Sequence, residues 1–201
     1  MDSPATVMIM VLICAVLLHG WIQDYRSEKQ GQPNPKAWPG TTSCSTSWIL
    51  TGIIGSLLIV GLATFGEIVT GTSDEQSTLP LFAIGSLLSA GFIEELTFRG
   101  FFVIQKKGTR IRTLSCIGFS LIFTLFHYQY YTETIDETLV FKFNFQVIWT
   151  LCILFVQSLW FYYLRFSQRN PHMSLLPCFF AHASANLAVF LIKALQGFVE
   201  L

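Results

Sequence analysis

The sequence predicts an all-α integral membrane bundle of about six transmembrane helices, on three observations. The 201 residues are 52% hydrophobic and only 12% charged, where a soluble domain carries about 25% charged residues. Mean hydropathy is +0.55. The apolar residues fall in long runs rather than at amphipathic spacing, each run near the roughly 20 residues that cross a bilayer.

Twelve basic and twelve acidic residues cancel, so net charge points to no nucleic-acid partner. Of the cysteines Cys14, Cys44, Cys116, Cys152 and Cys178, four lie in apolar runs and none has ligand spacing. They read as small hydrophobes rather than as a disulfide or zinc framework.

The first span covers residues 4–22. Its leading residues carry Asp2 and no Lys or Arg, unlike a secretory signal peptide, so it reads as an uncleaved helix. Residues 23–47, with Pro33, Pro35 and Pro39, read as a polar surface loop. The second span, 48–70, contains Gly52, Gly55 and Gly61, small residues that permit close helix contact. Glu67 near its end reads as an interfacial carboxylate. A short loop, 71–79, leads to Pro80 and the third span, 80–104. The basic connection 105–112 precedes the fourth span, 113–131. An acidic loop around Glu133, Asp136 and Glu137 follows, then the fifth span, 144–166, and the sixth, 174–197.

Nine Lys and Arg residues, from Arg26 to Arg169, lie in connections one, three and five, against Lys142 alone on the other side. The positive-inside rule then directs both termini outward. The chain divides into two amino-terminal helices with their polar loop, 1–79, and a core, 80–197.

The stretch Gly91–Phe102 organises that core. It sets two adjacent carboxylates, Glu94 and Glu95, in an otherwise apolar run. A charge at the bilayer centre costs roughly 2.5–3.5 kcal/mol on insertion scales, so the pair marks a functional site. Glu95 and Arg99 are four apart and share a helix face, where they can pair. Glu94 is turned about 100° away and is free to face another group.

Two other helices add polar groups: His127 on the fourth, His182 and Asn186 on one face of the sixth. At 1.5 Å per residue from the basic ends, Glu94 and His182 lie about 15 and 12 Å deep, and His127 about 21 Å. An interhelical hydrogen bond contributes only about 0.6 kcal/mol, and a lone buried His or Asn would read as such glue. Five such residues on three helices, including paired carboxylates, read as a site.

Here a resemblance enters. Glu94-Glu95-Leu-Thr-Phe-Arg99-Gly100 resembles the EExxxR motif of the CAAX-protease and bacteriocin-processing (CPBP, also called Abi) family of intramembrane proteases. Phe123-Thr-Leu-Phe-His127 is similar to that family's FxxxH, and His182-Ala-Ser-Ala-Asn186 to its HxxxN. The likeness spans residues 80–195, and the family includes the type II CAAX prenyl endopeptidases and lysostaphin-resistance-like proteins. It implies an intramembrane endopeptidase acting on membrane-associated proteins or peptides, with or without a lipid group.

By position, the resemblance implies that Glu94 is the general base activating water, assisted by His127. His182 and Asn186 would stabilise the oxyanion, and Glu95 and Arg99 would support the site. No cofactor is implied by this mechanism. A zinc-dependent alternative uses Glu94, His127 and His182 as ligands, leaving one position for water, although no HExxH is present. A non-catalytic membrane immunity or interaction protein is a second alternative, and a transporter a third. The expected setting is a lipid bilayer, with a bacterial inner membrane favoured.

Overall fold

The computed structural model describes residues 3–73, 76–135 and 138–200. Asp2, Asp136 and Glu137 therefore lie outside the described residues. The described residues form six α-helices: α1 Pro4–Lys29, α2 Thr46–Thr70, α3 Ala83–Glu94, α4 Thr109–Phe126, α5 Phe145–Phe166 and α6 Leu176–Leu195. All but α3 are long and apolar enough to cross a membrane. The all-α membrane architecture expected from composition is the one found.

Local sequence explains the ends of these helices. Ser3, Ser45 and Asn144 cap α1, α2 and α5, each accepting a hydrogen bond from a first-turn backbone N–H. Gly71, at φ 70°, closes α2 in the left-handed conformation that favours glycine. The first helix does not stop at residue 22. Neither Gly nor Pro lies between residue 22 and Gly31, so it runs on to Lys29 through charged residues.

The connection that follows is not a loose surface loop. Asp24 accepts hydrogen bonds from Trp38 N (2.8 Å) and Asn34 Nδ2 (3.0 Å), folding the chain back onto α1. Its far end joins the fifth connection, where Leu175 N donates to Gly40 O at 3.0 Å. The φ of Gly40 is +67°, and a Cβ there would stand 2.8 Å from Leu175 N. Connections one and five thus meet at one end, where Trp38 also stands edge-on to Phe101 and Pro39 lies against Gly100.

The opposite end holds short strands that hydropathy did not suggest. β1 (Leu79–Pro80) pairs in parallel with β4 (Val199–Glu200), and β2 (Thr132–Ile135) pairs antiparallel with β3 (Thr138–Phe141). Pro80 therefore belongs to a strand, and α3 begins three residues later.

One apolar core draws on α1, α2, α3, α5 and α6, with Trp21, Trp48, Phe92, Phe161 and Leu164 among its buried residues. The packing of α2 uses glycine, partly at other positions than expected. A Cβ at Gly55 would lie 2.3 Å from the Trp160 ring, and one at Gly66 2.2 Å from Trp149, whereas Gly61 has no neighbour within 4 Å.

The third span differs most from expectation. It is not one α-helix over 80–104. After Glu94 the ladder widens into π-helical turns over Glu95–Phe101, closed by Phe102 N donating to Thr97 O at 2.8 Å. The chain then leaves the helix and descends beside α4, where Ile104 N donates to Ser115 Oγ at 3.2 Å. The fourth helix begins earlier and ends earlier than expected, so Arg110 and Arg112 lie on it and His127 lies past its last residue.

Candidate active site

The π-helical turns place Glu95 and Arg99 wholly inside the bundle, both at 0% exposure. Arg99 Nη1 is 3.0 Å from Glu95 Oε1, the pairing that their spacing predicts. Burying two charges is tolerated only with good geometry and further partners. Arg99 has them. Its Nη2 donates to Ser158 Oγ (2.8 Å) and Ser158 O (3.2 Å) on α5. The guanidinium carbon also lies 4.6 Å from the centre of the Phe123 ring and 5.0 Å from those of Phe161 and Tyr162. These faces attract a desolvated cation.

Glu95 also reaches α6. Its Oε1 is 2.8 Å from His182 Nδ1. An ionised carboxylate can only accept, so Nδ1 carries a proton toward Glu95. The ring of His182 stacks on Phe161 at 4.9 Å between centroids, which fixes its plane. Its other nitrogen, Nε2, faces Glu94 Oε2 at 3.8 Å, longer than a direct hydrogen bond. The Glu94 side chain is 29% exposed. Two neighbouring glutamates thus address the two nitrogens of one ring. One is sealed and charge-paired, the other open to incoming groups.

Asn186, one turn along α6, donates Nδ2–H to Leu87 O on α3 at 2.7 Å. That amide nitrogen keeps a second hydrogen for another acceptor. Gly91 lets the two helices close at this point. A Cβ there would stand 3.3 Å from His182 Cδ2 and 3.4 Å from Asn186 Nδ2.

His127 is not on helix four, where the extent of the fourth span predicts it. It caps α4 and leads into a 3₁₀ turn, Tyr128–Tyr130. The third and fourth elements run antiparallel, with Phe102 on Phe119 (5.5 Å) and Phe98 on Phe123 (5.2 Å) between ring centroids. Four residues beyond the Phe98–Phe123 rung come Glu94 on one element and His127 on the other, with the His127 ring stacked on Tyr130. Residues 102–108 lie outside any helix, so a depth count along continuous helices does not apply to His127. His127 Nδ1 lies 2.8 Å from Phe123 O, so it donates there and Nε2 is left with a lone pair.

Sequence reasoning assigned nothing to α5, yet α5 clasps the π-helical turns. Ser158 holds Arg99. The Tyr162 hydroxyl lies 2.9 Å from Phe98 O and 3.1 Å from Phe102 O, and Arg165 Nη1 donates to Gly100 O at 3.2 Å. The spacings of four and three put these polar residues on one helix face, a signal available in the sequence.

Among the described residues, no group of three or more His, Cys, Asp or Glu is gathered to hold a metal ion. Glu94, His127 and His182 are not drawn into such a group; the Glu95 carboxylate takes Nδ1 of His182 and leaves Nε2 as its outward nitrogen.

A family model described as "Type II CAAX prenyl endopeptidase Rce1-like" matches residues 75–188, a stretch that contains all three motifs. No curated protein matches the chain, and no solved structure does.

Proposed function

The chain belongs to the type II CAAX prenyl endopeptidase Rce1-like family of intramembrane proteases, and from that premise we propose that it hydrolyses peptide bonds by glutamate-activated water. The observation that carries this reading is the division of labour around His182. Glu95 is buried and committed to Arg99 and Nδ1, while Glu94 is accessible and faces Nε2.

In this reading Glu94 takes a proton from water, and the hydroxide attacks the scissile carbonyl carbon. His127, its Nδ1 committed to Phe123 O, offers the Nε2 lone pair to orient that water. As the imidazolium, His182 donates from both nitrogens, Nδ1–H to Glu95 and Nε2–H to the oxyanion. The 3.8 Å separation from Glu94 leaves that donor unspent in the resting site. The second amide hydrogen of Asn186 supplies a further donor. Donors fixed before the charge develops stabilise it most in a water-poor site, with roughly 10²–10³ in kcat lost when one is removed. Glu94 then returns its proton to the leaving amine, and the base is regenerated.

Arg99 and Glu95 offset each other inside the bundle, and Glu94 stands on its accessible side. No metal takes part in the proposed reaction.

The family description directs the substrate proposal toward membrane-associated proteins carrying a prenylated cysteine near the carboxyl terminus. The full chain in liposomes should cleave a peptide with S-farnesyl cysteine four residues from its end, releasing the terminal fragment for mass spectrometry. Equal cleavage of the unmodified peptide would keep the protease reading and remove the lipid from it. If both peptides stay intact, a non-catalytic membrane interaction protein becomes the better reading.

A further inference from the structure

We propose that Ser158 is a positioning residue for this hydrolysis: its hydroxyl and carbonyl fix Arg99, and through Arg99 and Glu95 the orientation of His182. The inference rests on the proposed function and extends the site to α5.

The contacts form a continuous chain of buried polar groups. His182 Nδ1 meets Glu95 Oε1 at 2.8 Å, and Glu95 Oε1 meets Arg99 Nη1 at 3.0 Å. Arg99 Nη2 donates to Ser158 Oγ at 2.8 Å, and Ser158 Oγ donates on to Ser120 Oγ of α4 at 3.0 Å. Glu95, Arg99, Ser158 and Ser120 are all 0% exposed. Water is therefore in no position to replace a lost partner.

Arg99 depends on Ser158 more than on any other donor or acceptor outside its own helix. Its remaining neighbours across the bundle are the faces of Phe123, Phe161 and Tyr162, which attract the cation without setting its rotation. Ser158 contacts one guanidinium nitrogen with two oxygens at once, and that sets the fork. Because Glu95 shares the single oxygen Oε1 between Arg99 and His182, any turn of the guanidinium is passed to the imidazole.

Ser158 also needs orientation. Its hydroxyl hydrogen goes to Ser120, which leaves a lone pair for Arg99. Ser120 is thus the last anchor of the relay, and α4 enters the positioning of a group held on α6.

The test uses the full chain in detergent with the S-farnesylated peptide above. It compares wild type, Ser158→Ala, Ser120→Ala, Glu94→Gln and the control Ser184→Ala, whose exposed hydroxyl bonds its own helix at Phe180 O. Thermal unfolding of each variant is recorded alongside. A misplacement well short of 1 Å at a reacting group costs roughly tenfold in rate. Ser158→Ala should lower kcat about tenfold with KM within about twofold, and Ser120→Ala should lower kcat by a smaller factor in the same manner. Ser184→Ala should match wild type.

A Ser158→Ala enzyme with wild-type kcat overturns the inference. So does one whose kcat falls only in step with its unfolding temperature while Ser120→Ala is unchanged, because that pattern marks a packing role. Failure of the parent reading looks different: Glu94→Gln would then retain activity.

Discussion

Glu95 Oε1 stands 2.8 Å from His182 Nδ1 although the two residues are 87 positions apart. This contact joins the π-helical turns to α6 and makes a buried ion pair part of the histidine's orientation. The same oxygen is 3.0 Å from Arg99, so one carboxylate sets both a cation and an imidazole.

Removing the carboxylate should therefore cost stability as well as turnover. Glu95→Ala leaves Arg99 buried and unpaired, which costs about 3–5 kcal/mol for a buried pair broken from one side. The double variant Glu95→Ala/Arg99→Met should recover much of that loss while remaining inactive. Unfolding in mixed micelles with increasing denaturing detergent measures both. Equal destabilisation in single and double variants would contradict the pairing.

Asn186→Ala separates anchoring from catalysis. The bond from Asn186 Nδ2 to Leu87 O at 2.7 Å is neutral and contributes about 1 kcal/mol to stability. Loss of an oxyanion donor costs roughly 10²–10³ in kcat. Turnover should therefore fall by two to three orders of magnitude with only a small change in unfolding midpoint. A fall of tenfold or less would leave Asn186 as a helix anchor alone.

Gly91→Ala tests the closeness of α3 and α6. The added methyl would stand 3.3 Å from His182 and 3.4 Å from Asn186, so one of them must yield by a few tenths of an ångström. We expect folded protein with kcat reduced about tenfold. The measurement is turnover at saturating peptide, normalised to folded fraction.

Gly40→Ala acts far from the carboxylates. At φ +67° an L side chain pays roughly 1–2 kcal/mol, and its Cβ would also meet Leu175 N at 2.8 Å. The variant should unfold at distinctly lower temperature, because the seam between the first and fifth connections opens. Substituting Gly31, also at positive φ but with open space around it, should cost only the backbone strain.

These residues also show what a sequence can carry. The Glu95–Arg99 pair was legible because spacing along one helical segment needs no knowledge of the rest of the chain. The pairing of His182 and Asn186 on one face was legible for the same reason. That Glu94 and Glu95 divide between the two nitrogens of one ring was not, since it depends on where α6 packs.

The π-helical turns left no local mark either. The segment Glu95–Phe101 reads as an ordinary continuation of an apolar helix, and the groups that hold its widened ladder, Ser158, Tyr162 and Arg165, come some sixty residues later. Their helical spacing was visible in the fifth span, but nothing there said what they face. The early end of α3 had a second consequence. Counting depth along uninterrupted helices fails for His127, because it stands past the last residue of α4 and the third segment leaves the helix after Phe101.

The most direct test of the account is turnover of the farnesylated peptide by wild type and Glu94→Gln, each assayed with and without a strong metal chelator. The account predicts activity unchanged by chelation in the wild type and lowered by several orders of magnitude in Glu94→Gln. Wild-type activity that is lost on chelation and restored by zinc would contradict the glutamate mechanism. Activity that survives Glu94→Gln would remove Glu94 from the chemistry.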